Sequence, residues 1–335
     1  MGVRRLTSPG SIGRSASARL TFAGVDFLIF TEPQQGAHHD DLLRVARCAE
    51  DAGYTGFFRS DHYLKMGEVS GEPGPSDAWL TLAALAVQTT TLRLGTLMSA
   101  ATFRLPAQLA ISVAQVDQMS GGRVELGLGS GWYEAEHSAH GIPFPPLRER
   151  FDRYTEQLEI ITGLWRTLPG DRFNHAGRHY TITDSPALPR PVQQPHPPLL
   201  VGGSGPVRTP KLAARYADEF NVPFATVEQA ARQFERVDEA CREIGRDPVE
   251  VRRSVALTVA VGRSSEQREA RALTTGRSLS DLVENGLAGS PGEAVDRLGH
   301  WRERTGITRV YLQLHDLADL DQIELIASEV MPQLV

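Results

Sequence analysis

The chain has 335 residues, a formal net charge of −6, two cysteines and no long apolar run. That length permits one large core, the acidic balance argues against a nucleic-acid partner, and a membrane span would need about 20 consecutive apolar residues. Cys48 and Cys241 stand far apart with no metal-ligand spacing, so they read as buried thiols of a reducing compartment, and a cytoplasmic location is expected.

Residues 1–20 hold Arg4, Arg5, Arg14 and Arg19, many serines and no acid. They lack the apolar core of a secretory signal and read as a disordered tail outside the fold. The remainder, 21–335, is expected to form one domain. Val25–Phe30 reads as a strand. His38-His39-Asp40-Asp41 looks like a metal cluster, but sequential residues at a helix start do not converge on one ion, and acids favour a helix N-terminus. The set is read as a solvated cap, with no metal site. Asp40–Ala52 is then a helix ending at Gly53, a C-cap residue.

Thr55–Arg59 and Leu92–Met98 read as strands, and Trp79–Gln88 and Pro106–Met119 as helices. Arg123–Leu128 follows as a strand whose side chains alternate faces. One face carries Val124, Leu126 and Leu128, the other Glu125, Gly127 and Gly129. The glycine face leaves room for close approach to the backbone, and Glu125 on it should point into the interior and need a partner. Gly127-x-Gly129-x-Gly131 is not a dinucleotide fingerprint, because the spacing is wrong and no helix opens within it. The Arg148–Trp165 stretch places Phe151, Tyr154, Leu158, Ile161 and Trp165 on one helical stripe, which suits core packing.

The strand–helix alternation pauses over about 168–198, where Phe173–Tyr180 suggests a hairpin and a proline run an extended return. It resumes with strands at Leu199–Val201, Glu219–Val222, Val255–Val261 and Arg309–Leu314. The intervening helices are Arg208–Tyr216, Val227–Ile244, a loose helix over Glu266–Val283, Pro291–Arg304 and Leu320–Val330. Eight strand–helix units imply an α/β fold, a parallel (β/α)8 TIM barrel, with an insertion after the fourth helix. Active sites of such barrels lie at the C-terminal ends of the strands. The loops of interest are therefore Thr31–Gln35, Ser60–Leu64, Ser99–Arg104, Gly129–His137 and Gly202–Gly205.

His62, in Ser60-Asp61-His62 after the second strand, can exchange a proton near neutral pH. Gly202-Gly203-Ser204-Gly205 sits between a strand and a helix, the arrangement that holds a phosphate on backbone N–H groups. It is not a P-loop, since the G-K-[ST] is missing.

In order along the chain, these pieces resemble the luciferase-like monooxygenase superfamily, in particular its coenzyme F420-dependent branch. The matching stretches are Phe30-Thr31-Glu32-Pro33-Gln34, Arg59-Ser60-Asp61-His62, Leu94-Gly95-Thr96 with Thr102-Phe103-Arg104, the glycine stretch through Gly131-Trp132, Gly177-Arg178-His179-Tyr180, and Val201-Gly202-Gly203. The resemblance covers Val25 to Val330. It implies an oxidoreductase transferring a hydride between deazaflavin C5 and a small organic substrate. Asp61 and His62 are then expected to line the deazaflavin, with His62 catalytic. Leu97-Met98 would carry a non-proline cis peptide behind the ring, Gly129, Ser130 and Gly131 would pass the ring or ribityl chain, and Gly202, Gly203 and Ser204 would hold the phosphate. Trp132 and Glu134 are expected to meet substrate. The Ser-Asp-His triplet favours F420 over FMN; with FMN the same scaffold would act as a monooxygenase. A silent flavin-binding barrel and a metal-dependent hydrolase are the rivals from other classes. The superfamily often forms homodimers through barrel helices.

Overall fold

A computed structural model describes residues 24–334. The expected tail, 1–20, lies outside the described residues. Eight parallel strands close on themselves: β1 (Asp26–Thr31), β2 (Gly56–Arg59), β3 (Arg93–Thr96), β4 (Val124–Gly129), β5 (Leu199–Gly202), β6 (Glu219–Pro223), β7 (Arg252–Val261) and β8 (Arg309–Leu314). Each pairs with the next in parallel, and β8 pairs with β1 through Asp26↔Arg309 to Thr31↔Leu314. The (β/α)8 barrel expected from the strand count is therefore present. The hairpin in the insertion pairs Phe173–Ala176 with Thr181–Ser185, after the helix Leu147–Arg166.

Three expectations are corrected. The segment read as one strand over Leu92–Met98 is interrupted by a cis Leu97–Met98 peptide, and the chain resumes pairing at Ser99–Ala100 against β4. The loose helix over Glu266–Val283 is two helices, Ser265–Thr274 and Leu279–Asn285, separated at Gly276, whose φ is +69°. A short strand, Leu287–Gly289, then pairs with the end of β7. Cys48 is only partly buried, whereas Cys241 is fully so. Asp41 caps the helix His39–Asp51 by accepting the His38 N–H at 3.0 Å, the role expected for that acidic start. No described helix is long and apolar enough to cross a membrane.

The larger core lies between strands and helices and includes Phe27, Leu126, Val201 and Trp301. The stripe along Leu147–Arg166 joins it: Tyr154, Leu158, Ile161 and Trp165 are buried and Phe151 partly so. A second cluster fills the barrel itself, formed by Leu28, Phe30, Phe58, Leu97, Leu200, Ala256 and Tyr311. Gly95 is required there, because any Cβ would collide with the Phe58 ring.

Inward residues on β8 show the layering. Arg309, nearest the N-terminal face, donates to Glu125 at 2.7 Å and to Glu219 at 2.8 Å, all three being buried. Tyr311, in the middle, packs edge-on against Phe58 with centroids 5.0 Å apart and donates to Glu219 at 2.8 Å. Gln313, at the top, donates to Glu32 at 2.8 Å and accepts from Thr258 at 2.5 Å. Glu125 therefore points inward as expected. Burial opposes its charge, but Arg309 and Arg93 outweigh that and hold its carboxyl below the usual range.

Removing Arg309 leaves two buried carboxylates short of a cation. We expect Arg309→Met to cost about 3–5 kcal/mol in urea unfolding at pH 7, the loss typical of breaking a buried pair from one side. The deficit should shrink in the Arg309→Met, Glu219→Gln double variant. A loss below about 1 kcal/mol would mean that this layer behaves like an exposed pair.

Candidate active site

The C-terminal mouth opens above Leu97 and Met98. Gly127 and Gly202 have no room for a side chain. A Cβ at Gly127 would strike the Thr96 carbonyl, and one at Gly202 would stand 2.6 Å from Met98 Cε and 2.7 Å from the Asn221 carbonyl oxygen. These glycines admit the cis segment itself. Gly129 and Gly203 are different, since a Cβ would meet only Met98 Sδ at 3.8 Å and Thr209 Cγ2 at 4.0 Å, respectively. Ser204 is exposed, and the helix Arg208–Tyr216 behind it starts without a side-chain cap. The resulting cradle has an apolar floor and open backbone on two loops, which fits a flat ring with a phosphate-bearing tail.

Gly131 is held from several sides. Its carbonyl accepts from Arg150 Nη1 at 2.6 Å, and Arg150 lies 3.8 Å over the Phe144 ring. Thr102 Oγ1 lies 2.7 Å from His137 Nε2, and His137 Nδ1 donates to the Tyr133 carbonyl at 2.7 Å. Ser130 lies between Gly129 and Gly131, half-buried.

His62 is placed at the mouth with 14% of its side chain exposed. Its Nδ1 lies 2.9 and 3.1 Å from the two carboxylate oxygens of Glu136. An ionised carboxylate only accepts, so Nδ1 carries the proton and Nε2 is the nitrogen available at the mouth. Glu136 also accepts the Tyr63 N–H at 2.9 Å, joining the β2 loop to a helix at Glu134–His140. That helix falls where a loop over Gly129–His137 was expected. Glu134 is exposed at its first position, and the carboxylate that reaches His62 is the buried Glu136 of the same turn. Trp132 is 65% exposed, stacked on Tyr133 at 5.2 Å and edge-on to His62 at 5.8 Å.

Asp61 is wholly buried. Arg104 donates to it at 2.5 Å and Ser99 at 2.7 Å, so its oxygens are occupied by protein and it acts as a positioning residue. Arg104 also pairs with Asp77 and donates to the Tyr63 hydroxyl at 2.8 Å. Beneath this network burial lowers the Arg59 guanidinium to about 10, while it donates to Thr81 at 2.9 Å.

Glu32 is the residue that strand-end reasoning passed over. It follows β1, accepts from Gln313 and Gln34, and burial pushes its carboxyl above the ordinary range, against the nearby His62. The signal was its position in the first mouth loop, where a carboxylate directly after a barrel strand faces the site.

The family model for luciferase-like monooxygenases matches residues 25–305. The chain belongs to the luciferase-like monooxygenase family. An F420-dependent glucose-6-phosphate dehydrogenase of Amycolatopsis mediterranei (strain U-32) is 35% identical over 54% of this chain and 52% of its own length. An F420-dependent hydroxymycolic acid dehydrogenase of Mycobacterium tuberculosis (strain ATCC 25618 / H37Rv) is 30% identical over 73% and 65%. The chain thus spans about half to two thirds of these curated relatives. A solved F420-dependent secondary alcohol dehydrogenase, in complex with an F420-acetone adduct, superposes with a TM-score of 0.80 at 19% identity, covering 93% of this chain and all of that one. That likeness supports the shared barrel.

Gly131 has φ +77°, and a Cβ would stand 2.8 Å from Thr102 Oγ1. For Gly131→Ala we expect about 1–2 kcal/mol from the left-handed backbone, with a further loss from displacing the Thr102 hydroxyl. Chemical denaturation of Gly131→Ala alone and with Thr102→Ala separates the two: the alanine should cost less in the Thr102→Ala background. Equal costs in both backgrounds would remove the contact from the account.

Proposed function

We propose that this protein is an F420-dependent oxidoreductase that moves a hydride between deazaflavin C5 and a small organic substrate. The observation that carries the reading is His62, fixed by Glu136 at the mouth with Nε2 unbonded among the described residues, in the same mouth as the loops through Gly129, Ser130 and Gly131 and through Gly203 and Ser204. The F420-dependent relatives align over much of the same chain.

A bound deazaflavin supplies a carbon that accepts or gives up two electrons as hydride. The protein handles the accompanying proton. When a substrate is oxidised, a hydroxyl or amine proton leaves as the C–H bond breaks, and His62 takes it at Nε2. Glu136 stabilises the imidazolium through Nδ1–H and keeps the ring from turning. In the reverse direction the same nitrogen returns the proton. Glu32, kept protonated to higher pH by burial, offers a second proton-holding group on the β1 side. Asp61 anchors the loop that carries His62 by its bonds to Arg104 and Ser99. Leu97 and Met98 would give a bound ring an apolar floor, and Trp132, exposed at the mouth, would cover the substrate side.

Two measurements test this reading. Fluorescence titration should give micromolar or tighter F420 binding and much weaker FMN binding; equal or reversed preference assigns the site to a flavin-dependent monooxygenase instead. His62→Asn should keep F420 affinity within about tenfold. Its turnover should fall roughly 10²–10⁴-fold, the usual contribution of general acid–base catalysis. Unchanged turnover would take His62 out of the proton path.

A further inference from the structure

Beyond the phosphate cradle lies a group of cations that the hydride chemistry does not use. Arg208 opens the helix that follows Gly202–Gly205. It donates to Asp152 at 2.7 Å and to the Arg148 carbonyl at 3.2 Å, and lies 5.0 Å over the Phe151 ring. Arg178, at the hairpin tip, is tied by its backbone N–H to Glu156 at 3.0 Å, one helical turn beyond Asp152. The side chains of Arg148 and Arg178 are exposed and make no ion pair among the described residues. The neighbouring acids are taken, Glu149 by Arg153 and Glu156 by the amides of Arg178, His179 and Tyr180. Asp152 alone faces three guanidiniums. Its carboxyl is lowered by the Arg208 hydrogen bond first, against slight burial, and then by the charges of Arg208, Arg148 and Arg178.

The position is as informative as the charge. Arg148 and Asp152 lie on the second helix after the Gly129–Gly131 loop, and Arg150 of the same helix reaches back to hold the Gly131 carbonyl. The cluster therefore flanks both glycine loops, through Arg208 at the start of the helix after Gly202–Gly205 and through the helix whose Arg150 holds Gly131. FMN terminates at its phosphate. F420 continues past it into a chain of glutamates carrying several carboxylates. We propose that Arg148, Arg178 and Arg208 form a binding site for the oligoglutamate tail of F420. This rests on the F420 reading above and adds a second, separable contact to it. Exposed guanidiniums bind carboxylates through weak, salt-screened pairs that sum over a flexible chain.

The experiment compares binding of F420 bearing several glutamates with binding of the tail-less form, F420-0, by fluorescence titration of the full chain. The tailed form should bind about tenfold tighter at low ionic strength, and added salt should narrow the gap. Arg148→Gln with Arg178→Gln should abolish the gap while leaving F420-0 affinity unchanged. Arg208 is kept in that variant because it also anchors Asp152 and Phe151. Equal affinity of the two forms for the unaltered protein would overturn the tail site and leave the cofactor reading standing. So would a gap that survives the double substitution. Failure to bind either form overturns both.

Discussion

Arg309 is the constraint from which the interior is built. A guanidinium at 3% exposure survives only with compensating carboxylates, and Glu125 and Glu219 reach it from strands on other parts of the ring. Those bonds can form only if β4, β6 and β8 all turn their odd-numbered residues inward. Once that facing is set, side-chain alternation decides the rest: Tyr311 and Leu200 fill the middle, and Gln313, Thr258 and Ser60 arrive at the mouth. The ionic layer thus sets which polar groups face the site at the opposite end.

The mouth is organised around a peptide rather than a side chain. The cis Leu97–Met98 bond turns the chain between two short strands, and its neighbours need space. Gly127 gives room to the Thr96 carbonyl and Gly202 to the Met98 methyl, so two glycines that look ligand-facing serve the protein's own backbone and side chain. Open backbone remains at Gly129 and Gly203. Around this floor, Arg104 gathers Asp61, Asp77 and Tyr63 into one network, which stiffens the loop that carries His62. The catalytic candidate is therefore positioned twice, through its own chain and through Glu136.

Much of this was legible in the linear chain. Strand–helix alternation, the inward facing of Glu125 and the apolar stripe from Phe151 to Trp165 depend on local periodicity, which a sequence displays directly. The mouth loops followed from topology, because every parallel strand of a closed barrel delivers its C-terminal end to the same face. The cis peptide came from family resemblance and not from residue pattern, since nothing in Leu97-Met98 itself marks it.

Other assignments needed the folded chain. Glu136 rather than Glu134 meets His62 because a helix begins at Glu134 and turns the residue two positions on towards β2, and no local signal reports that angle. Asp61 reads as a free ligand until Arg104, forty-three residues away, is brought onto it. Glu32 gains its raised pKa from burial, against the opposing His62 charge and hydrogen bonds from Gln34 and from Gln313 at the far end of the chain. Arg148, Arg178 and Arg208 are scattered in sequence, and only the helix, hairpin and loop that meet at Asp152 make them one charge cluster. Periodicity and turn chemistry act over a few residues, so the sequence alone determined the barrel and the loops at its mouth. Charge pairing and burial act through space between remote strands, so the tertiary structure decided which of those residues are free to work.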